Sequence, residues 1–474
     1  MQPIRTIEKE VVVIGSGTAG LAAYRAAKQS TDSVVTVESG AYGTTCARVG
    51  CMPSKLLIAA AEAAHTIEHS NPFGVYSKGG VEISPEAVMD RVKSERDRFV
   101  GFVLEGVDNI PAEDKIQGRA KFKDSHTLSI NLNEGGQLDV KAKRIVIATG
   151  SRPNIPEFFK QAKDRLVVND DIFSWNTLPK AVAVFGPGVI GLELGQSMKR
   201  LGVEVHMFGA GGKVGPITDP VVHEYAEKTF AEEFYLDPKA NVSSIQRVDD
   251  GVEIQFTDKQ GNEQTILVNY LVAATGRRTN TDNLAIENAA LDLDAFGVPV
   301  ADPRTMQTSQ SHIFIAGDVS NQLPLLHEAA DQGKIAGDNA GAYPDIKPGL
   351  RRSPISVVFS DPQIMMVGST YQQLAEQIKA GDVVTGDVSF ENQGRSRVML
   401  KNKGVLRIYA EKATGQLLGA EMIGPSAENI AHLLAWAHQQ AMTIDQMLEM
   451  PFYHPVIEEG VRTALRDTAS KITA

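Results

Sequence analysis

Cysteine is almost absent: the 474 residues hold two, Cys46 and Cys51. So few thiols exclude a disulfide-stapled secreted scaffold and fit a reducing compartment, where a disulfide persists only if it is transient or catalytic. No uninterrupted apolar run reaches the roughly 18 residues of a membrane span, and residues 1–10 contain no apolar core of signal-peptide length. The chain is therefore expected in the cytoplasm, with no membrane partner. Basic clusters are missing too, and the net charge is -11, which argues against nucleic acid or anionic lipid as the main ligand. What remains is ordinary globular composition, 42% apolar and 22% charged, in a chain long enough for two to four units.

Both cysteines lie in one stretch, residues 44–55, TTCARVGCMPSK. Residues five apart on a regular helix rise about 7.5 Å along the axis, beyond the roughly 7 Å Cα limit for a bridge. A disulfide here needs a bent first turn, which Gly50 permits and Pro53 favours. Two small buried hydrophobes are the alternative. Imposed geometry makes a bridge easy to reduce, and a helix N-terminus stabilises a thiolate, so the stretch reads as a redox disulfide.

Residues 11–14 are a β-branched run without polar alternation, as in a parallel strand covered on both faces. Gly15, Gly17 and Gly20 form a GxGxxG directly after it, a helical sequence follows, and a second strand at 33–37 ends in Glu38, where a ribose-binding carboxylate belongs. That context marks a dinucleotide site, against a tight βα turn with no ligand. The pattern restarts with a strand at 181–185, a second GxGxxG of Gly186, Gly188 and Gly191, a helix at 192–201 and a strand at 203–208. Each copy closes on a strand ending in Ala-Thr-Gly, at Thr149-Gly150 and at Thr275-Gly276. Two long repeats of one unit imply two dinucleotide sites. In the second, the position matching Glu38 is Gly209, and only Lys213 lies close enough to meet a 2′-phosphate. Between these landmarks, antiparallel strands are expected over 116–140, a separate strand at 144–150, a helix at 85–107, and a strand at 312–316 leading to Asp318, which serves a ligand or caps the next helix. Beyond residue 348 an α/β segment carries no nucleotide signature and is free to form an interface.

Together these residues resemble the FAD-dependent pyridine nucleotide-disulfide oxidoreductases, most closely the dihydrolipoamide dehydrogenase branch. The specific parts are the CxxxxC running into Pro53-Ser54-Lys55, both glycine motifs, both Ala-Thr-Gly ends, Ala316-Gly317-Asp318, and His454-Pro455 with Glu459. The resemblance implies an α/β fold with two Rossmann-like dinucleotide-binding domains and a C-terminal α/β dimerisation domain. Residues 1–150 and 277–348 would bind FAD, 151–276 NAD(P), and 349–474 would form the dimer. Gly15, Gly17, Gly20 and Glu38 would hold the adenosine end of FAD and Asp318 its ribityl chain, with Thr149, Gly150 and Gly276 as further cofactor contacts. Lys55, paired with Glu193, would sit by the flavin ring. Gly186, Gly188 and Gly191 would take the pyrophosphate of NAD, NADP not being excluded. Cys51 would face the flavin, Cys46 would exchange with substrate, and His454, oriented by Glu459, would be the acid/base acting across a homodimer. No metal is expected.

The implied reaction is oxidation of dihydrolipoamide by NAD, with the lipoyl-bearing E2 of a 2-oxo acid dehydrogenase complex as a partner. NADPH-dependent reduction of another small disulfide, such as glutathione disulfide, is the second reading, and a flavin-bound interaction protein without turnover the third. Three departures from the branch bear on the substrate: Gly43-Thr44 for paired glycines, Ala47-Arg48 for Leu-Asn, and Phe452 where a further histidine is usual. The absence of a C-terminal cysteine pair argues against the mercuric reductase and large thioredoxin reductase branches.

Overall fold

The first strand begins earlier than its apolar run, at Arg5, and ends at Ile14, in the computed structural model, which describes residues 4–473. Residues 5–9 are polar apart from Ile7 and stay exposed or partly exposed, yet they pair in parallel with 138–142, so hydrogen bonding extends the strand beyond its buried half. A second difference has the same cause. The antiparallel segment and the strand expected after it are partly one element, Gln137–Ile147, because Lys141, Ala142 and Lys143 include no turn residue. Its outer half pairs antiparallel with Thr127–Leu132, and it runs parallel to Arg5–Ile14 and Ile313–Ile315.

The chain divides into two compact units. The first comprises residues up to Pro53, Val92–Asn154 and Arg277–Arg351. Its sheet places Arg5–Ile14 between Val34–Glu38 and Gln137–Ile147. The helices Thr18–Ala27 and Leu326–Ala342 pack at backbone contact, because a Cβ at Gly333, Gly337 or Gly341 would meet the main chain of Ala19, Ala23 or Ala27. Glycines every fourth residue thus face alanines every fourth residue, one ridge into one groove.

The second unit comprises Ser54–Arg91, Ile155–Gly276 and the chain from Arg352 onward. It repeats the parallel arrangement, with Ala181–Phe185 between Glu204–Phe208 and Tyr270–Ala273. An antiparallel three-stranded sheet, Asn241–Val248, Gly251–Thr257 and Glu263–Val268, shares its core through Ile254 and Phe256. The C-terminal segment is a five-stranded antiparallel sheet carrying Ala427–Gln439 and Glu459–Ile472 over a core that includes Leu406, Ile408, Met422, Leu434 and Leu465. Two of its strands, Gln363–Gly368 and Val383–Ser389, are not apparent from residue pattern. Gly386 weakens the second as a strand signal. Its place is fixed by packing, since a Cβ there would collide with Thr468 and the Ala464 carbonyl of the Glu459–Ile472 helix. Among the described residues no helix is long and apolar enough to cross a membrane.

Candidate functional site

The cysteine stretch is bent at Gly50. One short helix, Thr45–Val49, carries half-buried Cys46; a second, Cys51–Glu68, starts at exposed Cys51; Gly50 interrupts them with φ -129° and ψ -115°. A Cβ at Gly50 would stand 3.1 Å from the Thr45 carbonyl oxygen and 3.3 Å from Cys46 Cα, so the close approach of the chain at Gly50 to the first turn favours glycine. Thr44 caps the first helix, its hydroxyl accepting from Ala47 N–H at 3.3 Å, and does so at φ 58°, an unusual conformation for a β-branched residue. Strain of this kind costs about 1–3 kcal/mol and concentrates at working sites. Arg48, between the cysteines, leans back over Gly43 to donate to the Ala41 carbonyl at 3.2 Å, which links two of the departures in one contact.

In the first unit a cleft of about 470 Å³ opens over the first glycine motif, lined among others by Gly15, Gly17, Glu38, Arg48, Thr149 and Arg152. The three glycines divide the labour of a dinucleotide cradle. Gly15, at φ 107°, makes the turn against Ala148; Gly20 lets the helix close onto Gly15; Gly17 faces open space, where a pyrophosphate can approach the backbone at the start of the Thr18–Ala27 helix. The Glu38 carboxylate accepts from Ser16 N–H and Gly40 N–H, both at 2.8 Å, which holds it at the cleft rim. Thr149 is locked by two bonds with Asn280, and Gly150 has φ 67°. Asp318 accepts from Ser151 Oγ at 2.7 Å, and Arg277 donates to the same hydroxyl at 2.7 Å. Ser151, Arg152 and Arg277 escaped sequence reasoning, although their signal, polar residues immediately after the Ala-Thr-Gly strand ends, was available.

In the second unit Lys55 Nζ lies 2.7 and 2.9 Å from the two carboxylate oxygens of buried Glu193, on the Val189–Arg200 helix, and 4.4 Å from the centre of the Phe359 ring. Phe359 N–H donates to Glu193 at 3.0 Å, so the carboxylate is fully partnered. His454 Nδ1 lies 3.0 and 3.1 Å from the Glu459 oxygens, while its side chain is 80% exposed. That hydrogen bond, followed by one from Val456 N–H, holds the Glu459 carboxyl below the usual carboxylate range. An ionised carboxylate only accepts, so Nδ1 carries the proton and Nε2 is the basic nitrogen. Cys46 and Cys51 belong to the first unit, and His454 and Glu459 to the second.

The second glycine motif matches the first in Gly186, at φ 107°, in Gly191 packed on Gly186, and in open Gly188. Gly276, at φ 91°, is equally open. The ribose end is different. Where Ser16 N–H serves Glu38, the equivalent residue here is Pro187, which has no N–H to give. Its ring crowds Gly209: a Cβ there would lie 2.9 Å from Pro187 Cδ and 2.8 Å from the Pro238 carbonyl oxygen. The loss of the carboxylate and the loss of its donor therefore occur together. Exposed Lys239, whose chain packs over Gly212, joins Lys213 at this edge and was not visible from local sequence.

The family comparisons agree with this geometry. The pyridine nucleotide-disulphide oxidoreductase model matches residues 9–333, and the dimerisation-domain model of that family matches residues 355–465. A dihydrolipoyl dehydrogenase from Haloferax volcanii is 31% identical over 465 residues, 96% of this chain and 95% of that protein. A mercuric reductase from Streptomyces lividans is 30% identical over 471 residues, 98% and 97% of the two chains. The structure of the HOCl-induced flavoprotein disulfide reductase RclA from Escherichia coli superposes with a TM-score of 0.79 at 22% identity, covering 97% of this chain and 99% of that one, a likeness of fold. Members of the family use FAD and NAD(P), and the two cradles described above fit such dinucleotides. The chain is a flavoprotein disulfide oxidoreductase, and it belongs to the pyridine nucleotide-disulphide oxidoreductase family.

Proposed function

We propose that the protein is a homodimeric dihydrolipoamide dehydrogenase that passes electrons from the dithiol through a Cys46–Cys51 disulfide and FAD to NAD. The observation that carries this reading is the held imidazole: His454 is oriented through Nδ1 by both oxygens of Glu459, which leaves Nε2 of an exposed ring to take a thiol proton. The substrate thiolate so formed attacks Cys46 Sγ, and Cys51 leaves as thiolate. The second substrate thiol, once deprotonated, attacks the mixed disulfide, closes the cyclic disulfide product and releases Cys46. FAD, when bound, accepts the two electrons from sulfur and supplies hydride to the nicotinamide.

In this reading the first cradle and Asp318 hold FAD, Lys55 with Glu193 serves the flavin end, and the second cradle holds the nicotinamide dinucleotide. We assign FAD binding to 1–150 and 277–348, nicotinamide binding to 151–276 and dimerisation to 349–474, a division by ligand in which residues 54–91 count with the FAD segment although they pack in the second compact unit. An E2 partner in the cytoplasm follows from the same assignment. Because curated relatives include both dihydrolipoyl dehydrogenases and mercuric reductases, the substrate rests on residues: the chain has no cysteines beyond Cys46 and Cys51. A second reading, reduction of another small disulfide by NADPH, is favoured by the Pro187 and Gly209 pair, which leaves the ribose without a carboxylate. Steady-state rates with lipoamide, glutathione disulfide and Hg(II), each with both nicotinamides, decide between them. Lipoamide turnover with NAD at least tenfold above the other combinations is expected, and a preference for glutathione disulfide or Hg(II) would refute the proposal.

A further inference from the structure

His65, Glu68 and His69 occupy positions i, i+3 and i+4 at the end of the Cys51–Glu68 helix, so their side chains share one face. Each offers a ligand atom, and these atoms lie within 4.8 Å of one another. We propose that the three side chains form a binding site for a divalent transition metal ion of the zinc class, apart from the redox stretch. Tetrahedral coordination at about 2.1 Å requires ligand atoms about 3.4 Å apart, so an ion draws the three side chains together from the 4.8 Å within which they lie. Two imidazoles, one carboxylate and a fourth position for water suit zinc and its neighbours better than magnesium or calcium.

Local hydrogen bonding already prepares one ligand. His69 Nδ1 lies 2.9 Å from the His65 carbonyl oxygen, so Nδ1–H donates and Nε2 keeps its lone pair outward, the outer-shell arrangement that orients metal-bound histidines. Half-buried His65 lies within reach of the Arg200 charge. The guanidinium of Arg200 does not stand unopposed beside the site, since Glu233 takes it at 2.7 Å and Asp361 at 3.1 Å. A helix C-terminus also carries partial negative charge, which favours a cation. Cys51 begins this helix fourteen residues before His65, about 21 Å at 1.5 Å per residue, so thiol chemistry and ion binding are separable.

The test is calorimetric titration of the oxidised, EDTA-treated, full-length holoenzyme with Zn(II). One site per chain is expected, retained in the Cys46→Ser, Cys51→Ser double variant and weakened more than about tenfold by His69→Ala and by Glu68→Gln. Both of those positions are exposed, so the two variants should keep the wild-type melting temperature in EDTA. Co(II) bound in place of Zn(II) should give visible ligand-field bands that His69→Ala removes. Absence of saturable Zn(II) binding would overturn the proposal, as would binding lost only with the cysteines or unchanged in both site variants.

Discussion

A carboxylate that holds an imidazole by one nitrogen decides what the other nitrogen can do, and Glu459 is in that position. Its pKa is depressed by the hydrogen bond from His454 and by Val456 N–H, so the ionised, paired state is present above the ordinary Glu range near 4.3 and is lost only as pH falls through the lowered value. From neutral pH down to about 5 Glu459 stays an anion, and an acid limb of kcat/KM in that window does not report its protonation. Glu459→Gln is expected to lower kcat by ~10²-fold or more and to move the acid limb to lower pH, because the imidazolium loses its counter-charge. A pH–rate series on wild type and variant checks both; an unmoved limb with unchanged kcat would mean that Glu459 does not position the base. The cysteines make a separate prediction. Two-electron reduction under anaerobic conditions should produce a long-wavelength absorption band from a Cys51 thiolate against the flavin. Cys46→Ser should keep a thiolate band without turnover, and Cys51→Ser should lose it. Equal bands in the two variants would reverse the assignment.

At the scale of elements, the two glycine units were legible because their spacing is set by the turn itself: strand, tight glycine turn, helix and a carboxylate about twenty residues on follow from fixed lengths. Glu38, bonded to Ser16 N–H across that distance, is what the spacing implies. Contacts between distant segments leave no such trace. Nothing local in Glu193 indicates Lys55, and only the family resemblance implies the pair that the 2.7 Å contact joins. The Gly333, Gly337 and Gly341 ridge was present in the sequence but meaningful only against Ala19, Ala23 and Ala27. Gly337→Ala is accordingly expected to lower stability by about 1–3 kcal/mol through overpacking, measurable as a reduced denaturation midpoint at unchanged m-value. Crowding by Pro187 is equally hidden in the sequence, and it decides where a substitution can probe nicotinamide choice. Gly209→Glu would push a side chain into Pro187 and Pro238, so its effect on specificity would be mixed with damage to the strand edge. Exposed Ala210 is the better site. Ala210→Glu should raise the NADH-over-NADPH ratio of kcat/KM by about tenfold, by repelling a 2′-phosphate held near Lys213 and Lys239. An unchanged ratio would show that this edge does not meet the adenosine ribose.

For the whole molecule, the question is what completes the face around His454. His454 presents a ring 80% exposed on its own chain, beside Tyr453 at 81%, while Trp436, at 73%, and Leu433 project from the Ala427–Gln439 helix of the same unit. Large apolar side chains left in water together with an oriented imidazole suit a face completed by another subunit, and residues 355–465 match the family's dimerisation domain. A two-fold interface is isologous, so whatever His454 of one chain gives its partner, the partner returns. In a shared site, each of the two active centres would combine cysteines from one chain with the base from the other. Subunits carrying His454→Gln and subunits carrying Cys46→Ser are each inactive as homodimers on this account. Dissociated, mixed in equal amounts and re-formed, they give half mixed dimers, each with one centre holding both an intact cysteine pair and an intact histidine. Activity should return to about a quarter of the wild-type rate, and co-purification on two different affinity tags should enrich it to about half. The opposite arrangement, with base and cysteines from the same chain, leaves every centre in the mixture broken. Tagged mixed dimers that form, retain flavin and remain inactive would therefore eliminate the shared site.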